Sequence, residues 1–518
     1  MLSLDRVRPS ADDLIAVFAA VSAVAGSYAA VGFTPAFVAS PLERHLARRM
    51  PGIVVSYAIQ YLGSLGQQLN LVTAVGLVVA MFAVVTRLAL EIGNTQRSDI
   101  VSIILTGAGV LLLGTVITGS LLSGGGSALG SALALAIGSA SAAVPTDGDT
   151  NPGRRRVLAS LGTAAGVSAV AVALSSWQSD ADSATGPESD NGASSVPTDA
   201  SAEVQTALQT ASDRSLDVDG LDPLVSDDFF NVDINAVDPD IRAESWALSV
   251  TGAVEDEVHV DMDDIRSMDS RSEFFTLRCV GESRNGKKMD NALWTGVPIM
   301  DLVEQANPDS DCDCVMLQAA DDYFEEFPIE ALNGGMLAYE MNGRDLPRSH
   351  GYPLRALVPG HWGEINVKWL TEIEILDREA EGYWEKRGWH GTGPVNTVAK
   401  IHAVNDLDDG RTQVGGHTYA GTRGIAAVEV STDGGDTWNE ARLSDPLVDD
   451  PVDHDGAPGQ TPHSPDVWRQ WSYEYEPPGG THEVVARAIE SNGTVQPNEE
   501  TNAFPGGPSG WVSKTLDR

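Results

Sequence analysis

Three cysteines, Cys279, Cys312 and Cys314, are the first places to look for chemistry in this 518-residue chain. An odd count rules out a framework of disulfides outside the cell. Cys312 and Cys314 stand in Asp-Cys-Asp-Cys. That spacing is too tight for an easy disulfide and lacks the histidines of a closed zinc site, so the pair reads as structural or incidental. Cys279 is different. It follows Arg278 at the end of a strand-like run, 274–279, and opens the glycine-bearing turn Cys279-Val280-Gly281-Glu282, with Arg284 just beyond. A thiolate beside cations at a strand–loop junction suits a metal ligand or a nucleophile. On spacing alone a buried small hydrophobe is the commoner outcome. Other redox centres are poorly served: there is no C-x-x-C-H haem motif, and three cysteines are too few for an iron–sulfur cluster. The only histidine before residue 259 is His45, in a loop, which leaves no histidine pair for a haem inside the apolar segments.

The elements that must position these residues belong to two chemically different halves. The whole chain has 33 Lys+Arg against 73 Asp+Glu, for a net charge of −40. Residues 1–176 hold 10 and 8, net +2, which leaves 23 and 65 for residues 177–518, net −42. An acidic surface of that kind excludes a nucleic-acid partner. It also points to a halophilic source, since only six lysines occur in the chain. The first half has apolar stretches at 14–42, 69–90, 100–122, 124–143 and 157–177. Each reaches the roughly 20 residues that cross a bilayer, so five spans are expected in residues 1–177. The segment 53–66 is too short to cross and reads as an interfacial helix. Arg6 and Arg8, Arg87 and Arg97, and Arg154–Arg156 fall on one side of a five-span arrangement. That side is cytoplasmic by the positive-inside rule, which sends the acidic bulk outside. Arg44, Arg48 and Arg49 oppose this orientation. The Arg154–Arg156 run also fits a twin-arginine export signal, and with no clear cleavage site the fifth span is expected to stay as an anchor.

Residues 178–223 have no aromatic side chain and read as an acidic flexible linker. Beyond them the pattern is mixed α and β, with strands expected at 245–250, 274–279 and 315–319 and a helix at 297–305. After Pro394 the helix signals stop. Strands at 426–431, 468–475 and 482–489, with the Asp433-Gly434-Gly435-Asp436 turn, point to a β-sandwich of immunoglobulin type over 395–518.

Several longer phrases then give a family resemblance. F-F-T-L-R-C-V-G-E-S (274–283), L-W-T-G-V-P-I-M-D-L-V (293–303), the stretch from A-Y-E-M-N-G-R to L-V-P-G (338–360) and N-V-K-W-L (366–370) follow one another in order. They resemble the molybdenum-cofactor domain of the sulfite oxidase family. V-S-T-D-G-G-D-T-W (430–438) and V-Q-P-N (495–498) resemble that family's dimerisation domain, and G-Y-W-E-K-R-G-W (382–389) resembles a membrane-tethered prokaryotic branch. The resemblance implies an N-terminal α-helical membrane domain, an α+β molybdenum-cofactor domain over 224–394, and an all-β immunoglobulin-like sandwich.

By the same resemblance Cys279 ligates molybdenum beside the dithiolene of one pyranopterin, a soft donor for a metal that cycles between high oxidation states. His350, Arg355 and Lys368 fall on positions that hold the pterin and its phosphate. Three cations within twenty residues of an acidic domain suit that role on charge grounds. Tyr323, five residues before Pro328, falls on the active-site tyrosine, where a phenol can donate to the transferred oxygen. A core or lid role stays open for it. Arg278 and Arg284 flank the thiolate loop and could attract an anion. One departure weakens the choice of substrate: Phe229-Phe230-Asn231-Val232-Asp233 has Asn231 where the family commonly has arginine. An amide can hydrogen-bond an oxo group or the pterin but brings no charge. The expected activity is oxygen-atom transfer to or from a small oxyanion or S-oxide, with neither haem nor iron–sulfur cluster and with electrons exchanged with a separate redox partner. An S- or N-oxide reductase and a non-catalytic surface binding module are the alternatives. A homodimer through the C-terminal domain is implied by resemblance alone.

Overall fold

A computed structural model describes residues 10–58, 62, 64–143, 152–182, 197, 200–447 and 466–517. The chain divides into two compact units. The first gathers residues 1–50, 63–186 and 233–240, and the second gathers 51–62, 187–232 and 241–518.

The first unit is helical. Ser10 caps helix Ala11–Val31 in a reciprocal capping box with Asp13. Gly32, at φ 64°, ends that helix, so the expected 14–42 span divides there and resumes as the short basic helix Ser40–Arg49. Helices Ser64–Gln96, Asp99–Thr118, Leu121–Ala143 and Pro152–Asp182 follow. Glycine lets two of them touch: a Cβ on Gly26 would strike the Gly126 carbonyl, and one on Gly130 the Ser22 carbonyl. Four helices among the described residues are long and apolar enough to cross a membrane, over Ala11–Val31, Leu65–Gln96, Asp99–Thr118 and Leu121–Ser141. The fifth expected span lies inside Pro152–Asp182, whose side chains beyond Ala171 fall outside the described residues.

The second unit holds the chemistry. One five-stranded sheet runs in the order Val258–Asp261, Ala247–Gly252, Leu370–Leu376, Cys314–Ala319, Phe324–Pro328. Only the Ala247–Gly252 and Leu370–Leu376 pair is parallel, the two being far apart in the chain. A second sheet joins Arg271–Arg278, Met289–Pro298, Met336–Met341 and Arg344–Asp345, with Arg355–Leu357 also on Met336–Met341. The expected helix at 297–305 starts late, at Ile299, because Val297 and Pro298 finish a strand. After residue 394 the described elements are strands and one 3-10 turn, arranged in two antiparallel sheets around a shared apolar cluster that includes Tyr419, Val428, Trp468, Trp471 and Val484.

Three expectations change. Helix Ala202–Arg214 forms inside the stretch read as a flexible linker. Ser201 caps it, and Val204, Leu208 and Ala211 recur on one face and pack into the C-terminal cluster. The 53–66 segment divides: Gly52–Tyr57 is a short helix in the second unit, where Gly52 lies against the Arg387 backbone, and residues 64–66 open helix Ser64–Gln96 in the first. Cys312 and Cys314, read as too closely spaced, form a disulfide: Asp313 takes φ 51° between them and the two Cα atoms stand 5.3 Å apart, within bonding range.

Candidate active site

Strand Arg271–Arg278 is held on both sides before it releases Cys279. Met289–Pro298 pairs with it along its length, Arg278 opposite Met289. From the C-terminal half, Tyr419 Oη donates to the Thr276 carbonyl at 3.0 Å, and the Trp468 N–H donates to Thr276 Oγ1 at 2.9 Å. Cys279 itself donates its N–H to the Lys288 carbonyl at 2.9 Å and accepts from the Glu282 N–H at 3.3 Å. Its thiol is free and buried. Burial pushes the thiol pKa up, opposed by Lys288 and the Gly281 N–H. A bound cation would reverse that balance.

Arg278 turns away from the thiolate. Successive side chains on a strand alternate, and its guanidinium runs inward, fully buried. Nε donates to Glu282 Oε1 at 2.7 Å, Nη1 to the Asn396 carbonyl at 2.6 Å, and the plane lies 4.8 Å from the Trp362 ring. Glu282 also takes Lys400 Nζ at 2.7 Å. Arg284 is likewise engaged, by Glu500 at 2.5 Å.

The remaining candidates meet on one segment, Trp362 to Trp369. A Cβ on Gly363 would stand 3.1 Å from the Arg278 carbonyl and 3.8 Å from Cys279 Cα, so this turn lies directly on the thiolate loop. Tyr323 Oη donates to the Glu364 carbonyl at 2.9 Å. Arg355 donates from Nη2 to the Asn366 carbonyl at 3.0 Å and from Nη1 to the His350 carbonyl at 3.1 Å, with its guanidinium 5.1 Å from the Trp294 ring. Lys368 Nζ donates to Asn231 Oδ1 at 2.6 Å and to the Ser349 carbonyl at 2.8 Å. Gly351, at φ 112°, allows the convergence: a Cβ there would crowd Arg355 Cβ at 3.0 Å and Lys368 Cβ at 3.1 Å.

His350 is buried edge-on to Phe229 at 5.5 Å. Burial, then Lys368 and Arg355, hold its pKa well below the ordinary histidine value, so the ring is neutral. Its Nε2 is buried with no hydrogen-bond partner among the described residues, a polar atom that needs one. Asn231 reaches Lys368 because Asp290 pins the preceding residues: its carboxylate accepts from the Phe230 N–H at 2.8 Å and from Ser226 Oγ at 2.9 Å. Burial pushes Asp290 up to about 7 from 3.8. A raised carboxyl pKa gives stability that is fully present below the unfolded value and lost as pH rises through the folded one. Between about pH 5 and 8 the wild type should therefore lose more unfolding free energy than Asp290→Asn, as urea titrations at both pH values would measure.

A free buried thiol, an orphaned neutral imidazole nitrogen, a guanidinium and an ammonium around one glycine-lined segment form a soft donor beside anion-binding donors. That set fits a metal dithiolene carrying a phosphate. Gly363, Asn366 and Glu364 were missed by reading the sequence. The neighbouring P-G-H-W-G turn was the available signal, but the contacts are made by backbone carbonyls, which every residue has.

Comparison with known proteins agrees with this donor set. Residues 235–384 match the oxidoreductase molybdopterin binding domain, and residues 394–508 match the Mo-co oxidoreductase dimerisation domain. In these two stretches the chain is similar to the sulfite oxidase family. Its relatives there include the mitochondrial sulfite oxidase of Homo sapiens, 27% identical over 50% of this chain and 55% of that protein. The sulfite oxidase of Arabidopsis thaliana is 27% identical over 49% of this chain and 77% of that protein. The NADH nitrate reductase of Spinacia oleracea is 26% identical over 50% of this chain and 34% of that protein. The chain spans about half the length of the mammalian sulfite oxidases it matches. Among solved structures, the sulfane dehydrogenase SoxCD from Paracoccus pantotrophus aligns with a TM-score of 0.41 at 21% identity, over 51% of this chain and 72% of that one. By these matches the chain is sulfite oxidase-like, with an oxidoreductase molybdopterin binding domain followed by a Mo-co oxidoreductase dimerisation domain.

Proposed function

We propose that this protein is a membrane-anchored oxidase of a small sulfur oxyanion that hands its electrons to a separate one-electron acceptor outside the membrane. The observation that carries the reading is the Trp362–Trp369 segment, which brings the Cys279 loop, Tyr323, Arg355 and Lys368 to one place. Cys279 would bind the metal, and His350, Arg355 and Lys368 would hold the pterin and its phosphate. When bound, that group supplies two-electron oxygen-atom transfer. The chain's own residues do the rest. The Lys368 ammonium lies beside Asn231, where the family commonly has arginine, and this favours an anionic substrate over a neutral S- or N-oxide. Tyr323, half-buried with its phenol pKa held high by burial and by Glu325 and Glu364, stays protonated and able to donate. Five spans, the fifth within Pro152–Asp182, would place the acidic unit outside, and an acidic surface suits concentrated salt. The immunoglobulin-like form of the C-terminal sheets and their role in a homodimer belong to the same proposal.

Steady-state rates of sulfite oxidation and of sulfoxide reduction by the metal-loaded full chain test it. Faster sulfite oxidation supports the oxidase, faster sulfoxide reduction replaces it with the reductase, and turnover of neither overturns both. Tyr323→Phe should lower kcat by about ten- to a hundredfold with molybdenum content unchanged, within the range for loss of one positioned donor.

A further inference from the structure

Next to Tyr323 the fold encloses acids that the reading above does not use. Glu325 lies two residues beyond Tyr323 on strand Phe324–Pro328 and is fully buried. Its Oε2 accepts from the Tyr383 N–H at 3.2 Å. Its Oε1 converges with Glu385 Oε2 over the Cα of Gly382, where any Cβ would strike both. Glu325 Oε1 is wholly buried and has no conventional donor among the described residues. Two carboxyls in such a position hold one proton between them, because both cannot ionise side by side out of water.

We propose that Glu325 and Glu385 are a proton-holding pair that takes the protons released at Tyr323 during substrate oxidation and delivers them to solvent. This rests on the oxidase reading. Oxidation of an oxyanion by water forms one S–O bond, breaks two O–H bonds, and releases two protons and two electrons. The electrons leave singly to the external acceptor, and the protons need a separate path from a buried site. Tyr323 Oη is at the site, hydrogen-bonded to the Glu364 carbonyl and within reach of the Glu325 carboxyl. Glu325 Oε1 meets Glu385 Oε2 over Gly382, and Glu385, whose carboxylate oxygens are buried while the rest of its side chain is half-buried, lies between the half-buried Trp384 and the exposed Lys386. The charged groups around the pair are Glu364, which is itself pushed up to about 8, Glu326, Glu379, Lys386 over the Phe324 ring, and Arg387 over the Tyr383 ring. Burial first, then the hydrogen bond from Glu385, raises Glu325 well above the ordinary carboxylate range, so a proton stays on the pair at neutral pH.

Two measurements on the full chain decide it. Infrared spectra at neutral pH, on protein with or without molybdenum, should show the C=O stretch of a protonated carboxylic acid that disappears in Glu325→Gln. In metal-loaded enzyme, Glu325→Gln and Glu385→Gln should each lower kcat by about ten- to a hundredfold with KM little changed. They should also shift the pH profile and enlarge the solvent deuterium effect, and Glu325→Asp should recover most of the rate. Glu385, being half-buried, provides the variant that folds if Glu325→Gln does not. A spectrum without the protonated band, or variants with the wild-type pH profile and rate, overturns the proposal. Loss of the oxidase reading is told apart by the wild type alone: a chain that turns over no oxyanion but keeps the infrared band retains the proton-holding pair and loses its role.

Discussion

Cys279→Ser should leave a folded protein whose turnover has fallen at least a hundredfold. The strand pairing, the Lys288 hydrogen bond and the Gly363 contact are made by the backbone, and the smaller serine hydroxyl fits where the thiol stood, so they survive the change. The donor would change from a soft thiolate to a hard hydroxyl, weakening the hold of Cys279 on the metal it is proposed to ligate. Outer-shell partners of metal ligands already cost about 10–100-fold when removed, and a ligand should cost at least the upper end of that range. Parallel thermal unfolding and turnover of wild type and variant check it. Coincident unfolding with lost turnover is the expected pair of results, and retained turnover would remove Cys279 from the chemistry.

The largest effect on stability is expected at Glu282. Its carboxylate lies between two fully buried cations, Arg278 at 2.7 Å and Lys400 at 2.7 Å. Lys400 is already strained by this burial, its pKa lowered to about 8 despite Glu282. Glu282→Ala would leave both charges uncompensated, at a cost of about 3–5 kcal/mol. That is a large share of the roughly 5–15 kcal/mol that holds a domain together. Lys400→Met should be much milder, because the Arg278–Glu282 pair remains and a linear apolar chain fills the space. Denaturant midpoints of the two variants make the comparison. An equal loss in both would mean that Lys400, rather than the shared anion, carries the stability.

How much of this could be read from residues alone depended on where the partners lie. Cys279, His350, Arg355 and Lys368 stood out because each sits in a short phrase whose residue types already fit the chemistry. The segment that joins them did not, because Glu364 and Asn366 accept from Tyr323 and Arg355 through main-chain carbonyls and Gly363 contributes by lacking a Cβ. Arg278 illustrates the opposite case. Adjacency in sequence put it beside the thiolate, but strand alternation sends it to the other face, where its partner network includes Lys400, 118 residues from Glu282. The helix Ala202–Arg214 was hidden by composition: its stretch lacks aromatics, and the three small apolar residues on its buried face signal a helix only once a core is there to receive them. The C-terminal strands were the most legible part, because alternation and a glycine turn are local properties.

The packing of that helix also bears on how the chain is made. Beyond it, the Leu216 N–H donates to Gln470 Oε1 across 254 residues, Gln470 Nε2 to the Asp222 carbonyl across 248, and Trp468 Nε1 to the Leu224 carbonyl across 244. Each closes a long loop, so these contacts form late and slowly. A ribosome delivers residues 202–224 well before strand Arg469–Tyr475 and the strand that follows it, Thr481–Glu490. Until then residues 202–224 have no core to join. The second unit must therefore stay open while the residues between 224 and 466 are made, and its closure waits on the strands beyond them.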